Sequence, residues 1–331
     1  MGNRRSGQNK NTFVTIIADY STAICSVFLL LGLIACSGPK VLPPSTPAQK
    51  LSAEGVRRLE RGDYSGALEM FKQTLQEAEL VDDLQGQAMG WNNLGLLSLA
   101  QGDLPGAVMA HGHAVRYYRK TKDAPGEMRA RVNLGVVLVE TGDFNVAKQQ
   151  LVAAQQLGEN LGKPREWWLA EVALANIEIR TGQVQQGVER AKNARGWAEN
   201  RHDVAIESAA HLVEGSGFFA LNDLDKALPS YEFALSLDRK RQEPTAILED
   251  LRAIAEVYIR RDQRDLAADA LGRRGRVAKR LGRLDVAEQD MAHALELGAG
   301  AMQVDDLNAL KIEYDAIRQV KATTRRPNKS E

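Results

Sequence analysis

From Trp91 to Tyr118 the chain reads WNNLGLLSLAQGDLPGAVMAHGHAVRYY, with apolar residues returning at three- and four-residue spacing on both sides of Gln101-Gly102-Asp103. That spacing gives each half an apolar stripe and a polar face, as in two amphipathic helices joined by a tight turn. Stepping by forty residues from Gly102 reaches Gly62-Asp63, Gly142-Asp143, Gly182-Gln183, Asn222-Asp223 and Asp262-Gln263. Five residues after each turn start stands a small residue: Ala67, Ala107, Ala147, Gly187, Ala227 and Ala267. An apolar-small pair precedes most turns, as Leu94-Gly95, Leu134-Gly135, Leu174-Ala175 and Ile254-Ala255, with Glu54-Gly55 and Glu214-Gly215 as weaker versions.

Each part of the pattern has a physical reading. A Gly or Asn closing a helix can take the left-handed conformation that ends it. The Asp behind it can accept hydrogen bonds from the free N–H groups opening the next helix. The small residues mark where two helices of one unit approach closely. A fixed period of this kind predicts an all-α solenoid in which each unit buries its apolar face on the next.

The pattern resembles the tetratricopeptide repeat (TPR) family. Trp91, Leu94, Gly95, Ala107 and Ala114 fit the family's offsets, as do Leu134, Gly135, Ala147 and Ala154, and in the fifth copy Gly215, Phe218, Ala227, Tyr231 and Ala234. The family's usual period is about 34 residues, so the longer repeat here is similar to that of motor-protein light chains and bacterial regulators. The terminal Pro of the motif is mostly missing. The resemblance implies a right-handed α-α superhelix of TPR-like helix pairs over 47–300, six to seven repeats, with a capping helix at 301–322 and a disordered tail at 323–331. After Asp262, Leu271, Gly275, Ala278, Gly282, Ala287, Met291 and Ala294 form a fresh copy of the motif only twenty residues on. A helix over 264–281 would then close one unit and open the next.

The N-terminal stretch is different material. Arg4, Arg5 and Lys10 precede an almost wholly apolar run from Ser21 to Ala35, which ends at Leu33-Ile34-Ala35-Cys36. The layout is that of a signal peptide over 1–35, and the tetrad resembles the lipobox of bacterial lipoproteins. That resemblance implies lipidation of Cys36 and a mature chain beginning there. An uncleaved anchor from Phe13 to Ala35 would be long enough to span a bilayer but would carry Asp19 inside it. Met1-Gly2 with Ser6 also fits a short N-myristoylation pattern. The distance between the charged start and the apolar run leaves room for a start codon downstream. A Pro-rich tether, 36–46, follows the lipobox. Ser37 after the Cys implies, by the same resemblance, the outer membrane facing the periplasm in an organism with two membranes.

Composition removes other classes. The 331 residues hold 43 basic and 43 acidic side chains, without the basic excess of a nucleic-acid binder. Cys25 and Cys36 are the only cysteines, and Cys25 goes with the signal, so no disulfide or cysteine metal cage is available to the mature chain. His111 and His113 stand two apart on a helix and point to different faces. His202, His211 and His293 show no telling spacing. Neither enzyme chemistry, nor a metal, nor a cofactor is expected.

The expected activity is binding of envelope proteins or peptides. In the family an Asn two residues after the Trp position grips the backbone of a bound peptide, which here implies Asn93 and Asn133, with Asn92 beside the first. Arg129 falls where such grooves carry a base for a peptide carboxylate. Trp167, Trp168 and Trp197 offer either a docking site or packing between units. Arg273, Arg274, Arg276, Lys279, Arg280 and Arg283 form a basic run without an acid, which would suit an anionic envelope polymer or lipid, or simply a solvated helix face.

Overall fold

The computed structural model describes residues 46–324. The signal segment, Cys36, most of the tether and 325–331 lie outside the described residues. Fourteen helices follow one another: α1 Pro47–Glu60, α2 Tyr64–Leu80, α3 Leu84–Ala100, α4 Leu104–Thr121, α5 Ala124–Thr141, α6 Phe144–Glu159, α7 Arg165–Arg180, α8 Val184–Arg201, α9 Val204–Ala220, α10 Leu224–Arg241, α11 Pro244–Arg260, α12 Arg264–Arg280, α13 Leu284–Gly298 and α14 Val304–Thr324. No strand occurs among the described residues. Each helix packs on the one before and the one after, and alternate helices also touch, α1 with α3, α5 with α7, and α7 with α9. The result is an all-α solenoid of paired helices.

The turns repeat at half the period of the sequence motif. A residue with positive φ ends a helix every twenty residues from 62 to 282. Within units the position is mostly glycine, as at Gly62, Gly102, Gly142 and Gly182; between units it is Asp82, Lys122, His202 or Gln242. Most of the Asp residues that follow cap the next helix, although Asp143 makes no such bond and Gln183, Glu243, Gln263 and Arg283 hold the position without a side-chain cap. The carboxylates of Asp63, Asp83, Asp103 and Asp123 accept from the N–H groups of Gly66, Gly86, Gly106 and Gly126 at 2.9–3.0 Å. The α6–α7 connection departs from this form: Gly162 and Lys163 both have positive φ, and Pro164 precedes α7 without a side-chain cap.

Helix contact within a unit rests on two positions. The first is a small residue in the leading helix, facing a large one sixteen residues later. A Cβ on Gly55 would lie 2.4 Å from the Phe71 ring, on Gly95 2.5 Å from His111, on Gly135 2.6 Å from Leu151, and on Gly215 2.5 Å from Tyr231. The fourth unit moves the glycine to the other helix. There Ala175 stands in the leading helix and Gly187 in the following one, where a Cβ would meet the Ala175 carbonyl oxygen at 2.6 Å. On α12, Leu271 is buried against the sixth unit, while Gly275 faces Met291 of α13.

Candidate functional site

The three asparagines implied by the family resemblance form a ladder across the leading helices. Asn93 donates through Nδ2 to Ser52 Oγ of α1 at 2.6 Å, and Asn133 of α5 donates to Asn92 Oδ1 at 3.1 Å. His111 Nδ1 lies 3.2 Å from the same oxygen. A carbonyl oxygen only accepts, so Nδ1 carries the imidazole proton. Asn92 and Asn93 are buried and Asn133 half-buried. In the free chain these amides tie successive units together, and Asn133 is the least buried of the three. His111 is fully buried, and burial holds its pKa down to about 4.

Arg129 is exposed and reaches Glu166 at 3.5 Å. It borders a cavity of about 250 Å³ that also holds Gln85, Met89 and Tyr118. The tryptophans chiefly pack. Trp167 is buried and meets Trp168 edge-on at 4.7 Å, and Trp168 stacks on Trp197 at 5.3 Å.

The basic run does not form one face. Arg274 points into the solenoid, where it donates to the Leu248 carbonyl at 3.0 Å and to Asp290 at 2.6 Å. Forty-residue steps explain this, because Arg274 stands where Thr74, Ala114, Ala154, Ala194 and Ala234 fill fully buried positions. Arg273 pairs with Asp269, and Arg276 with Glu313 of α14. Lys279, Arg280 and Arg283 remain exposed.

A cleft that sequence reasoning missed is more concentrated. It has a volume of about 610 Å³ at the ends of α6, α8 and α10, and Lys163, Arg165, Arg201 and Arg241 line it with Trp197 and His202. Asp203 is its one acid, bound to Arg165 at 2.6 Å. Arg201 lies over the Trp197 ring at 5.9 Å. These cations come from three separate turns, so no run in the sequence announces them.

A second cluster joins α8 to α9. Ligand atoms of Glu199, Glu207 and His211 lie within 4.8 Å of one another. Glu207 stands one helical turn before His211, a spacing visible in the sequence; only the fold brings Glu199 to it. Arg195 bonds both Glu199 and Glu214 beside them, the latter at 2.6 Å. Burial first, and the Arg195 charge second, lower the His211 pKa to about 4.

This architecture of helix pairs, glycine-ended turns and small-on-large contacts defines a helical-repeat protein of the TPR class. The sequence matches the family described as the MalT-like TPR region over residues 45–291, and the chain belongs to that family. No curated protein sequence matches it. Among solved structures, the STAND signal-transduction ATPase with a tetratricopeptide repeat sensor from Pyrococcus horikoshii is similar at 14% identity and a TM-score of 0.58, covering 83% of this chain. This chain spans 44% of that protein's length. Aspartyl phosphate phosphatase F from Bacillus subtilis matches at 12% identity and 0.57, over 82% of this chain and 70% of its own. A Rap protein complexed with Competence and Sporulation Factor matches at 11% and 0.56, over 84% of this chain and all of its own. At such identities the likeness is one of fold.

Proposed function

We propose that the chain is a lipid-anchored, non-catalytic adaptor of the cell envelope that holds a protein or peptide partner against its helical repeats. The observation that carries the reading is the cationic cleft beside Trp197. Four cations and an aromatic face around about 610 Å³ suit an extended, acidic segment of a partner, which would exchange for the carboxylates of Glu159, Asp203 and Asp238 that pair with Lys163, Arg165 and Arg241 in the free chain. The Rap protein structure with its bound factor supports the reading by fold, as an example of a similar array in complex. The anchor rests on Leu33-Ile34-Ala35-Cys36 in the sequence. Assembly of an envelope complex such as a pilus, a secretion pore or outer-membrane machinery is the setting this combination favours.

The test is crosslinking and pull-down from native membranes, comparing wild type with Lys163→Glu/Arg201→Glu. Loss of a partner in the double variant supports the cleft; an unchanged partner set refutes it. Cys36→Ser should release the protein from the membrane fraction, and continued membrane association would favour the uncleaved helix. A second reading, binding of an anionic polymer or lipid, is favoured by the three exposed cations Lys279, Arg280 and Arg283. It requires salt-sensitive binding to anionic vesicles that is lost in Arg280→Glu/Arg283→Glu.

A further inference from the structure

The point where α8 meets α9 carries chemistry that the adaptor reading does not use. Glu207 and His211 share one face of α9, a single turn apart, so both side chains project to the same place. Glu199, near the end of α8, brings a third ligand to them, and the three ligand atoms lie within 4.8 Å of one another. We propose that Glu199, Glu207 and His211 form a binding site for a divalent transition-metal ion of the zinc type, which clamps the fourth repeat unit to the fifth.

Four observations support the site. Its donor set, one imidazole and two carboxylates, is one that zinc accepts, with the fourth position left to water. The two carboxylates balance the charge of a divalent ion. His211 Nδ1 is buried without a hydrogen-bond partner in the free chain, a costly state for a polar atom that ligation, or a bond to a ligated group, would end. The ring itself is fixed by Phe233, whose centroid lies 4.8 Å away.

Arg195 is the element that argues against a cation, and its bonding meets the objection. It donates through Nη1 to Glu199 Oε1 at 2.5 Å and through Nε to Glu214 Oε1 at 2.6 Å. Glu214 is buried and shares the guanidinium through Nε, and Glu199 engages it through Oε1, with Oε2 as the oxygen offered to a metal. An outer partner of this kind orients a ligand carboxylate. The ligands are spread over two helices of different units. A bound ion would therefore act as a cross-unit staple at the α8–α9 junction.

The test uses the full tag-free chain, stripped with chelator and titrated with zinc chloride by calorimetry, alongside Glu207→Gln, Glu199→Gln and His211→Ala. Glu207→Gln is the decisive variant, because this half-buried carboxylate can become an amide without loss of packing. The expected result is one zinc per chain, with affinity weaker by roughly tenfold or more in each variant. Cobalt substituted into the wild type should give visible absorption bands that Glu207→Gln loses. Zinc binding unchanged by Glu207→Gln and His211→Ala, or no stoichiometric binding to the wild type, overturns the proposal.

Discussion

Replacing Asp250 with Asn should stabilise the solenoid at neutral pH. Forty-residue steps from Asp250 reach Ala210, Ala170 and Ala130, all fully buried, so a carboxyl occupies a slot that other units fill with a methyl group. Asp250 is itself fully buried on α11, and its charged neighbours include Asp238 of α10 and Glu249. Asp238 already accepts from Ser208 Oγ and Arg241 Nη1, each at 2.6 Å. Burial first, and the Asp238 charge second, push the Asp250 pKa from 3.8 to about 8. Across that interval the unfolded chain has lost the proton and the folded chain keeps it. Folding then takes up a proton, and stability falls as pH rises, by about 1.4 kcal/mol per pH unit. By pH 7 the accumulated cost is on the order of 4 kcal/mol. Asn carries no titrating proton and can still donate to Asp238. Asp250→Asn should therefore gain up to about 4 kcal/mol over wild type at pH 7 and almost nothing at pH 4. Repeat arrays open piecewise, so the assay is hydrogen exchange of the α10 and α11 amides at several pH values. A gap between the two proteins that stays constant from pH 4 to pH 7, or an Asn variant that opens more readily at pH 7, would refute the reasoning.

Gly95→Ala should destabilise despite the better helix former, because the new methyl would lie 2.5 Å from a buried His111 ring. Overpacking of about 1–3 kcal/mol exceeds the propensity gain of about 1 kcal/mol, and thermal melts should show a lower midpoint. His111 itself makes the fold acid-sensitive. Its folded pKa of about 4 lies below the ordinary 6.5, so stability is full above pH 6.5 and is lost as pH falls toward 4, by about 3 kcal/mol. His111→Gln should flatten that part of the pH profile in denaturant titrations. Asp103→Ala removes the cap on Gly106 N–H and should cost about 1 kcal/mol, seen as faster exchange in the first turn of α4. Arg190→Ala strips the cationic partner from both Glu171 and Glu178, which it holds at 2.8 and 3.0 Å, and leaves Glu171 only the neutral Gln155 amide. Leaving buried carboxylates unpaired should cost about 3–5 kcal/mol, and an unchanged urea midpoint would contradict that.

The repeat was legible because its signals are local and physical: a turn needs a left-handed residue, a helix start needs an acceptor, and a close approach needs a small side chain. The half-period was harder to see. Asp82, Lys122, His202 and Gln242 take positive φ without being glycine, so the turns between units carry no compositional mark. The basic run misled for a different reason. Six cations in eleven residues look like a patch only if the helical period is ignored, and the forty-residue step that places Ala234 in the core also places Arg274 there. The asparagines were found by their offset from Trp91, but not their partners, since Ser52 and His111 lie on other helices. The Lys163–Arg241 cleft and the Glu199–Glu207–His211 cluster depend on side chains from different turns and helices. Only the fold brings these together.

The double duty of α12 limits how this chain can be edited. Upstream, removing a forty-residue block such as 83–122 joins Asp82 to Asp123 and leaves every remaining small-on-large contact with its own partner. Module loss or duplication there is a change of length alone. At α12 the same operation is not neutral, because Leu271 closes against one neighbour while Gly275 receives Met291 from the other. Any cut through that helix orphans both. Shortening or lengthening of the array by whole repeats is therefore open to variation on its N-terminal side, whereas the segment from α11 to α13 is inherited, or lost, as a block.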